Sequence, residues 1–347
     1  MRQKIVLISI TIIEIIIIAF IIKWQNSGAE FYATNIYPFI STLTTATTGW
    51  IKFSLGDLFV MLFAIGLISL PFTPGIKAWN NVWYFALFTG FIYIWFYLSW
   101  GMNYFRDNIY VRTNKEVKSF SPEQLESVTS TFIDTLNTLY DNYQITTTFK
   151  ESLIESYNHI APNYSLTTVK LKSHKPMISN RLMEKVGVSG YFNPFFGEFH
   201  IRTSILEPSI PFTFAHETSH KGSVSSEDEA NLIAFIACES SEDSYARFSG
   251  YYTIVRYLLN SCYGVLPKEQ WAALRDKINP EILSLYKQES EHNQALYSEK
   301  LGNFQSWIYN HFLKSNNVAA GTKSYSQVVG LILNFQNSHT STTGHIE

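Results

Sequence analysis

The sequence predicts a mainly α protein: three N-terminal transmembrane helices, then an α-rich outer domain carrying a small β hairpin. Three observations predict this. Apolar runs occupy residues 5–22, 58–73 and 82–100, helix-start signals recur from residue 105 onward, and a single segment, 189–202, alternates like a strand pair around a turn. The chain thus divides into an anchor over 1–104, an outer domain over 105–337 and a polar tail over 338–347, expected to be loose.

The first apolar run is long enough to cross a bilayer core of about 30 Å. It is too long and uninterrupted for a removed signal peptide, and lacks a small-residue cleavage site. The third is flanked by Trp79, Trp83, Trp95, Trp100 and Tyr104, residues suited to the membrane interface. Arg2 and Lys4 precede the first run and Lys77 lies between the second and third, whereas Lys23 and Lys52 sit beside Glu30 and Asp57. That bias places the N-terminus in the cytoplasm. Three crossings then put the outer domain in the periplasm, beyond the inner membrane of a bacterium. Glu14, inside the first run, is read as a carboxyl that faces the other helices, with a functional role as the alternative.

Beyond residue 105 the composition is that of a soluble domain large enough for one core. Ser121-Pro122-Glu123-Gln124 joins a cap, a helix-start proline and a capping-box glutamine, and opens a helix over 121–143. Further helices are expected at 211–221, 227–239, 243–263, 267–278, 280–313 and 325–336. A formal net charge of -2 with no basic stripe excludes nucleic acid as a partner. In the strand-like segment, Asn193-Pro194 to Gly197 is the turn. Glu198, His200 and Arg202 share one face of the second arm and Phe199 and Ile201 the other. Its edge can receive an extended peptide, or the hairpin can simply cover the core.

Residues 216–220 read His-Glu-Thr-Ser-His. Four residues apart on a helix, His216 and His220 offer two imidazoles to one metal, and Glu217 is placed as the base beside metal-activated water. One Zn2+ per chain is the expected cofactor. A third ligand must follow the short Lys-Gly-Ser-Val-Ser-Ser connection. Glu227 is preferred over Glu229, because Ser226-x-x-Glu229 has the form of a capping box that would occupy Glu229. His200 is a weaker ligand candidate. Arg247 and Tyr251, on one face of a later helix, are candidates to stabilise the oxyanion. Cys238 and Cys262 lie where disulfides are permitted, but the apolar surroundings of Cys238 favour a buried free thiol.

Trp100-Gly101-Met102-Asn103-Tyr104-Phe105-Arg106, Gly190-Tyr191-Phe192-Asn193-Pro194-Phe195 with Gly197-Glu198, the His-Glu-x-x-His run and Glu227-Asp228-Glu229-Ala230-Asn231, in this order, resemble a bacterial family known as domain of unknown function 3810. The likeness covers most of the chain and implies a membrane-anchored, zincin-like protein. More distantly, Glu-x-x-Ala-Asn is similar to the Glu-x-x-Ala-Asp of membrane metallopeptidases of the gluzincin group. That likeness implies Glu227 as ligand and Asn231 as a supporting partner of a ligand. The chain departs from the family in having Gly222 two residues after His220, where a glycine three residues after is usual. The leading expectation is a zinc metallopeptidase acting on envelope peptides or proteins at the bilayer surface. Its rivals are a non-catalytic envelope binding or scaffold protein with a structural or vestigial metal site, and a zinc amidase acting on cell-wall peptides.

Overall fold

The computed structural model describes residues 2–69, 78–316 and 328–343. Helix α1 (Arg2–Phe31) leads through a π-helical turn at Tyr32–Ile36 into α2 (Tyr37–Thr48), followed by α3 (Leu55–Ser69) and α4 (Ala78–Ser99). Among the described residues only α1 is both long and apolar enough to cross a membrane, over Ile8–Gln25. This corrects the expectation of three such helices. The apolar stretch of α4, Trp83–Ser99, is shorter because the helix begins with Asn80 and Asn81 and draws on Trp and Tyr rather than isoleucine; the described apolar stretch of α3 is Leu55–Gly66. Residues 70–73 of the expected second span and Lys77 lie outside the described residues. Glu14 faces α4 at Gly90, where a side chain would come within 3.0 Å of its carboxylate.

The outer domain runs through α5 (Ile109–Arg112), α6 (Pro122–Asn142), α7 (Phe149–Ile160) and α8 (Asn180–Val186) into β1 (Gly190–Asn193) and β2 (Glu198–Ile201). Then come α9 (Ile210–Lys221), α10 (Glu227–Glu239), α11 (Ser244–Val265) and α12 (Lys268–Asp276). Last are α13 (Pro280–Leu296), α14 (Glu299–Ser315) and α15 (Val328–Thr343). The capping box forms as expected at Ser121 and Gln124. The hairpin also forms, antiparallel, pairing Gly190 with Ile201 and Asn193 with Glu198, and Gly197 (φ 63°) makes its turn.

Helix α10 is the centre of the core. Its Ala230, Ile233, Ala234, Phe235, Ala237 and Cys238 are all 0% exposed. A helix apolar on every side has to be enclosed, and α7, α9, α11 and α15 pack around α10, with α6 forming a further layer on α11. Gly250 of α11 permits the close approach, since a Cβ there would lie 2.6 Å from that of Cys238. Both cysteines are buried and unbridged.

Two expected boundaries shift. The helix expected over 280–313 is two helices, broken at Tyr297 and Ser298, where the Ser298 amide bonds the Lys185 carbonyl at 2.9 Å and the Tyr297 ring lies against Gly187 and Gly302. Tertiary bonding there overrides continuous helix propensity. The tail expected to be loose is helical as far as Thr343, with 344–347 outside the described residues.

Residues 32–57, assigned from sequence to the anchor, pack on the outer domain. Gly56 N donates to Glu198 Oε2 (3.0 Å), the Lys175 ammonium bonds the carbonyls of Thr48 and Ile51, and Asp57 accepts from the amides of Ile178 (2.6 Å) and Ser179 (3.1 Å). At the same junction the buried aromatics Tyr32, Tyr37, Tyr97 and Trp100 form a second core, joined to the first through Phe192.

Candidate metal centre

Helix α9 starts with Pro211 in its first turn and closes at Gly222. Gly222 has to be glycine, because the Tyr157 hydroxyl would overlap any Cβ there. The next residue, Ser223, has φ 83°, in the left-handed region that favours glycine. It is the position three residues after His220. Ser223 is held by Arg106, whose Nη1 donates to its Oγ at 2.8 Å. Arg106 also pairs with Glu30 at the end of α1 (3.0 Å).

The end of α9 is fixed from the anchor side. Tyr37 OH donates to the Lys221 carbonyl (2.7 Å) and Trp100 Nε1 to the His220 carbonyl (2.9 Å). The Trp100–Arg106 segment therefore braces the end of α9.

His216, His220 and Glu227 converge, with their ligand atoms all within 4.8 Å of one another. His216 Nε2 lies 3.2 Å and His220 Nε2 3.5 Å from Glu227 Oε2, and the two Nε2 atoms are 3.1 Å apart. Each imidazole is oriented through its other nitrogen. His216 Nδ1 bonds Asn231 Oδ1 (2.9 Å) and His220 Nδ1 bonds the Val224 carbonyl (2.8 Å). Both bonds call for a proton on Nδ1 and leave the Nε2 lone pairs directed at one point, as zinc requires. The other oxygen of Glu227 accepts from Tyr309 OH at 2.6 Å. The donor set and its supporting bonds fit a zinc ion.

Burial alone would raise Glu227, but the two imidazoles outweigh it and hold the carboxyl well below the usual carboxylate range. Glu217 is 3% exposed, and its Oε2 has no hydrogen-bond partner among the described residues. Burial pushes it up to about 7, against the lowering effect of His216 and His220. Gly190 of β1 makes room for it, since a Cβ at that position would lie 2.7 Å from Glu217 Oε1.

Glu229 is not the third ligand, and the reason differs from the expected one. No capping box forms at Ser226; Glu229 instead accepts from Arg112 (2.7 Å) and the Ile109 amide (2.8 Å). His200 is fully buried away from the cluster, near Ser54 Oγ (3.4 Å) and the Lys175 carbonyl (3.2 Å). Arg247 and Tyr251 do not join the site: Arg247 is exposed, and Tyr251 packs against Phe132 and Phe235 and donates to Glu239 (2.8 Å). Tyr251 borders the core, and Arg247, one turn before it, reaches solvent.

The cluster forms one wall of a cavity of about 600 Å³. The end of α4, α8, β1 and α14 form the others, and α14 contributes Tyr309, the residue that sequence reasoning missed. No spacing signal marked it, because an unbroken helix over 280–313 would not fold back over α9.

A family model described as protein of unknown function (DUF3810) matches residues 32–333, beginning where the chain leaves α1 and starts to pack on the outer domain. No curated protein and no solved structure matches the chain. The braced Trp100–Arg106 segment, the Gly190 hairpin and the His-Glu cluster, in that order along the matched region, are the features on which the resemblance rested, and the chain belongs to the DUF3810 family.

Proposed function

We propose that the protein is a membrane-anchored zinc metallopeptidase that hydrolyses peptides or proteins of the cell envelope. The observation carrying this is the convergence of His216, His220 and Glu227 beside a buried, unpartnered Glu217 on the wall of a cavity. Three protein ligands with a side open to a cavity suit a catalytic zinc; a structural zinc is closed by a fourth. Glu229 and His200, the nearest alternatives for that fourth ligand, are engaged elsewhere.

When bound, zinc supplies Lewis acidity that polarises a carbonyl and acidifies water. Glu217, raised to about 7, takes the proton of the attacking water on a carboxylate oxygen and passes it to the departing amine. Tyr309 occupies one oxygen of Glu227, so the other faces the metal point. Strand β1 has β2 on one side and the cavity on the other, so an extended peptide can pair along its outer edge.

In this reading α1 crosses the inner membrane, with the N-terminus cytoplasmic and the site periplasmic, and α3 and α4 lie against the same membrane. In support, the end of α1 (Glu30), the start of α3 (Asp57) and the end of α4 (Trp100) all meet the outer domain. The large apolar side chains exposed on these helices, among them Ile12, Ile16, Leu62, Ile65, Phe88 and Phe91, suit lipid.

The test is elemental analysis and cleavage of a peptide library by the full-length protein in detergent. Wild type should hold about one zinc per chain, His216→Ala none, and Glu217→Gln a full complement with turnover reduced roughly 10²–10⁴-fold. A wild type that takes up no zinc on reconstitution would overturn the proposal.

A further inference from the structure

We infer that the cavity binds an apolar segment from within a polypeptide chain, and neither a charged side chain nor a free chain end. This rests on the peptidase reading for the chemistry, but the binding preference stands on the walls of the cavity. Phe96 and Trp100 at the end of α4, Met183 and Val186 of α8, Phe192 of β1 and Phe312 of α14 line it. They come from four separate elements, so the apolar lining surrounds the metal cluster instead of forming a single patch.

The charges point the same way. Among the described residues no lysine or arginine lines the cavity, and the carboxylates that do are Glu217 and Glu227. The lysine closest in sequence, Lys221, is turned away, with its ammonium towards Ser41 O (3.4 Å) and the turn at Gly197. Arg106 is committed to Glu30, Ser223 and Ser165. A substrate carboxylate, whether a chain terminus or a Glu side chain, would be desolvated here beside two carboxylates, and its one cationic counterpart among the described lining would be the metal point, where the scissile carbonyl has to sit. A buried ammonium would lose its hydration in an apolar wall, and of the two carboxylates there Glu227 is already engaged with His216 and His220. A leucine or phenylalanine side chain, in contrast, gains from burial in full. The volume, about 600 Å³, holds more than one such side chain, which suits a segment threading through.

The experiment uses full-length, zinc-loaded protein in detergent and decapeptides with acetylated and amidated ends, identical except for Phe, Leu, Glu or Lys at the central position. Binding is read by fluorescence anisotropy on Glu217→Gln, where turnover does not intervene, and cleavage is read on wild type. The Phe and Leu peptides should bind roughly ten- to a hundred-fold tighter than the Glu peptide, and unblocking the C-terminus should not tighten binding. Val186→Lys, at a half-buried wall position, should narrow or reverse the Phe-over-Glu preference. Equal affinity for Phe and Glu, or a gain from a free carboxylate, overturns the inference. Binding with the stated preference but no cleavage would remove the peptidase reading and leave this inference standing; cleavage without preference would do the opposite.

Discussion

Asn231 Oδ1 stands 2.9 Å from His216 Nδ1, one turn along α10 from the proposed ligand Glu227. One helix therefore supplies both a proposed ligand and the group that orients another. Removing such a partner typically lowers metal affinity by about 10–100-fold. Asn231→Ala should show that loss in competitive chelator titration, whereas Asn231→Asp, which keeps an acceptor at the same place, should not. Equal affinities for wild type and Asn231→Ala would mean that the ring is held by packing alone.

Tyr309 makes the corresponding bond to Glu227 from the opposite wall, at 2.6 Å. A hydrogen bond to a charged acceptor contributes about 1.5–3 kcal/mol. Tyr309→Phe should therefore weaken zinc binding by roughly tenfold or more and lower turnover further, with little change in thermal stability, because the ring keeps its place on α14. Unchanged zinc affinity would show that Glu227 needs no second support.

How much of this was legible beforehand follows from where the information lies. His216, Glu217 and His220 sit on one helix, so their geometry is local and the spacing carries it. Glu227 was reached because the connection is short, although the capping argument used to exclude Glu229 described a bond that does not form. Arg112, which actually occupies Glu229, is distant in sequence. Tyr309 was invisible for the same reason: its position depends on a helix break fixed by the Lys185 carbonyl and the Tyr297 ring, both tertiary contacts. Arg247 and Tyr251 show the converse error. Helical spacing put them on one side of α11, but it could not say that Tyr251 would enter the core and Arg247 reach solvent, with neither at the cavity.

The departure from the family at the end of α9 has a measurable consequence. Ser223 has φ 83°, a conformation costing a non-glycine residue roughly 1–2 kcal/mol, and it is compensated by the Arg106 bond to its Oγ. Ser223→Ala keeps the strain and loses the bond, whereas Ser223→Gly loses the bond and the strain together. Chemical denaturation should therefore rank Ser223→Gly above Ser223→Ala by about 1 kcal/mol, the reverse of the order in a helix or strand interior. The opposite ranking would show that the backbone there is not strained.

Acid sensitivity should be traceable to His174, which packs between Phe199 and Phe214. Burial, helped by Lys150, His200 and Lys175, lowers its pKa from 6.5 to about 3. Above about pH 6.5 the ring is neutral whether the chain is folded or not, and it has no effect. Below that, the unfolded chain takes up a proton that the folded one refuses, so stability falls as the pH drops from about 6.5 towards 3. The loss reaches about 2 kcal/mol by pH 5. His174→Phe keeps the ring packing and should flatten the decline over this window; an unchanged slope would assign the acid sensitivity to other groups.

The junction between anchor and outer domain makes a final prediction about which part of the chain can fold. A fragment starting at residue 105 would keep every proposed ligand but lose Tyr37 and Trp100, which hold the carbonyls of Lys221 and His220. It would also lose the Thr48 and Ile51 carbonyls that receive the Lys175 ammonium, and the Gly56 amide that bonds Glu198. Lys175, Glu198 and Lys221 are each under 5% exposed. Polar groups left unpaired after burial cost about 1–3 kcal/mol each, and more when charged. Four groups lose their partners in this way, two of them charged, a cost comparable with the 5–15 kcal/mol by which domains are stable. The 105–347 fragment should accordingly show weak near-ultraviolet dichroism and bind zinc poorly, whereas the full-length chain in detergent does neither. A fragment that folds and binds zinc like the full chain would restore the boundary near residue 104 and show that residues 32–57 only rest against a domain already complete without them.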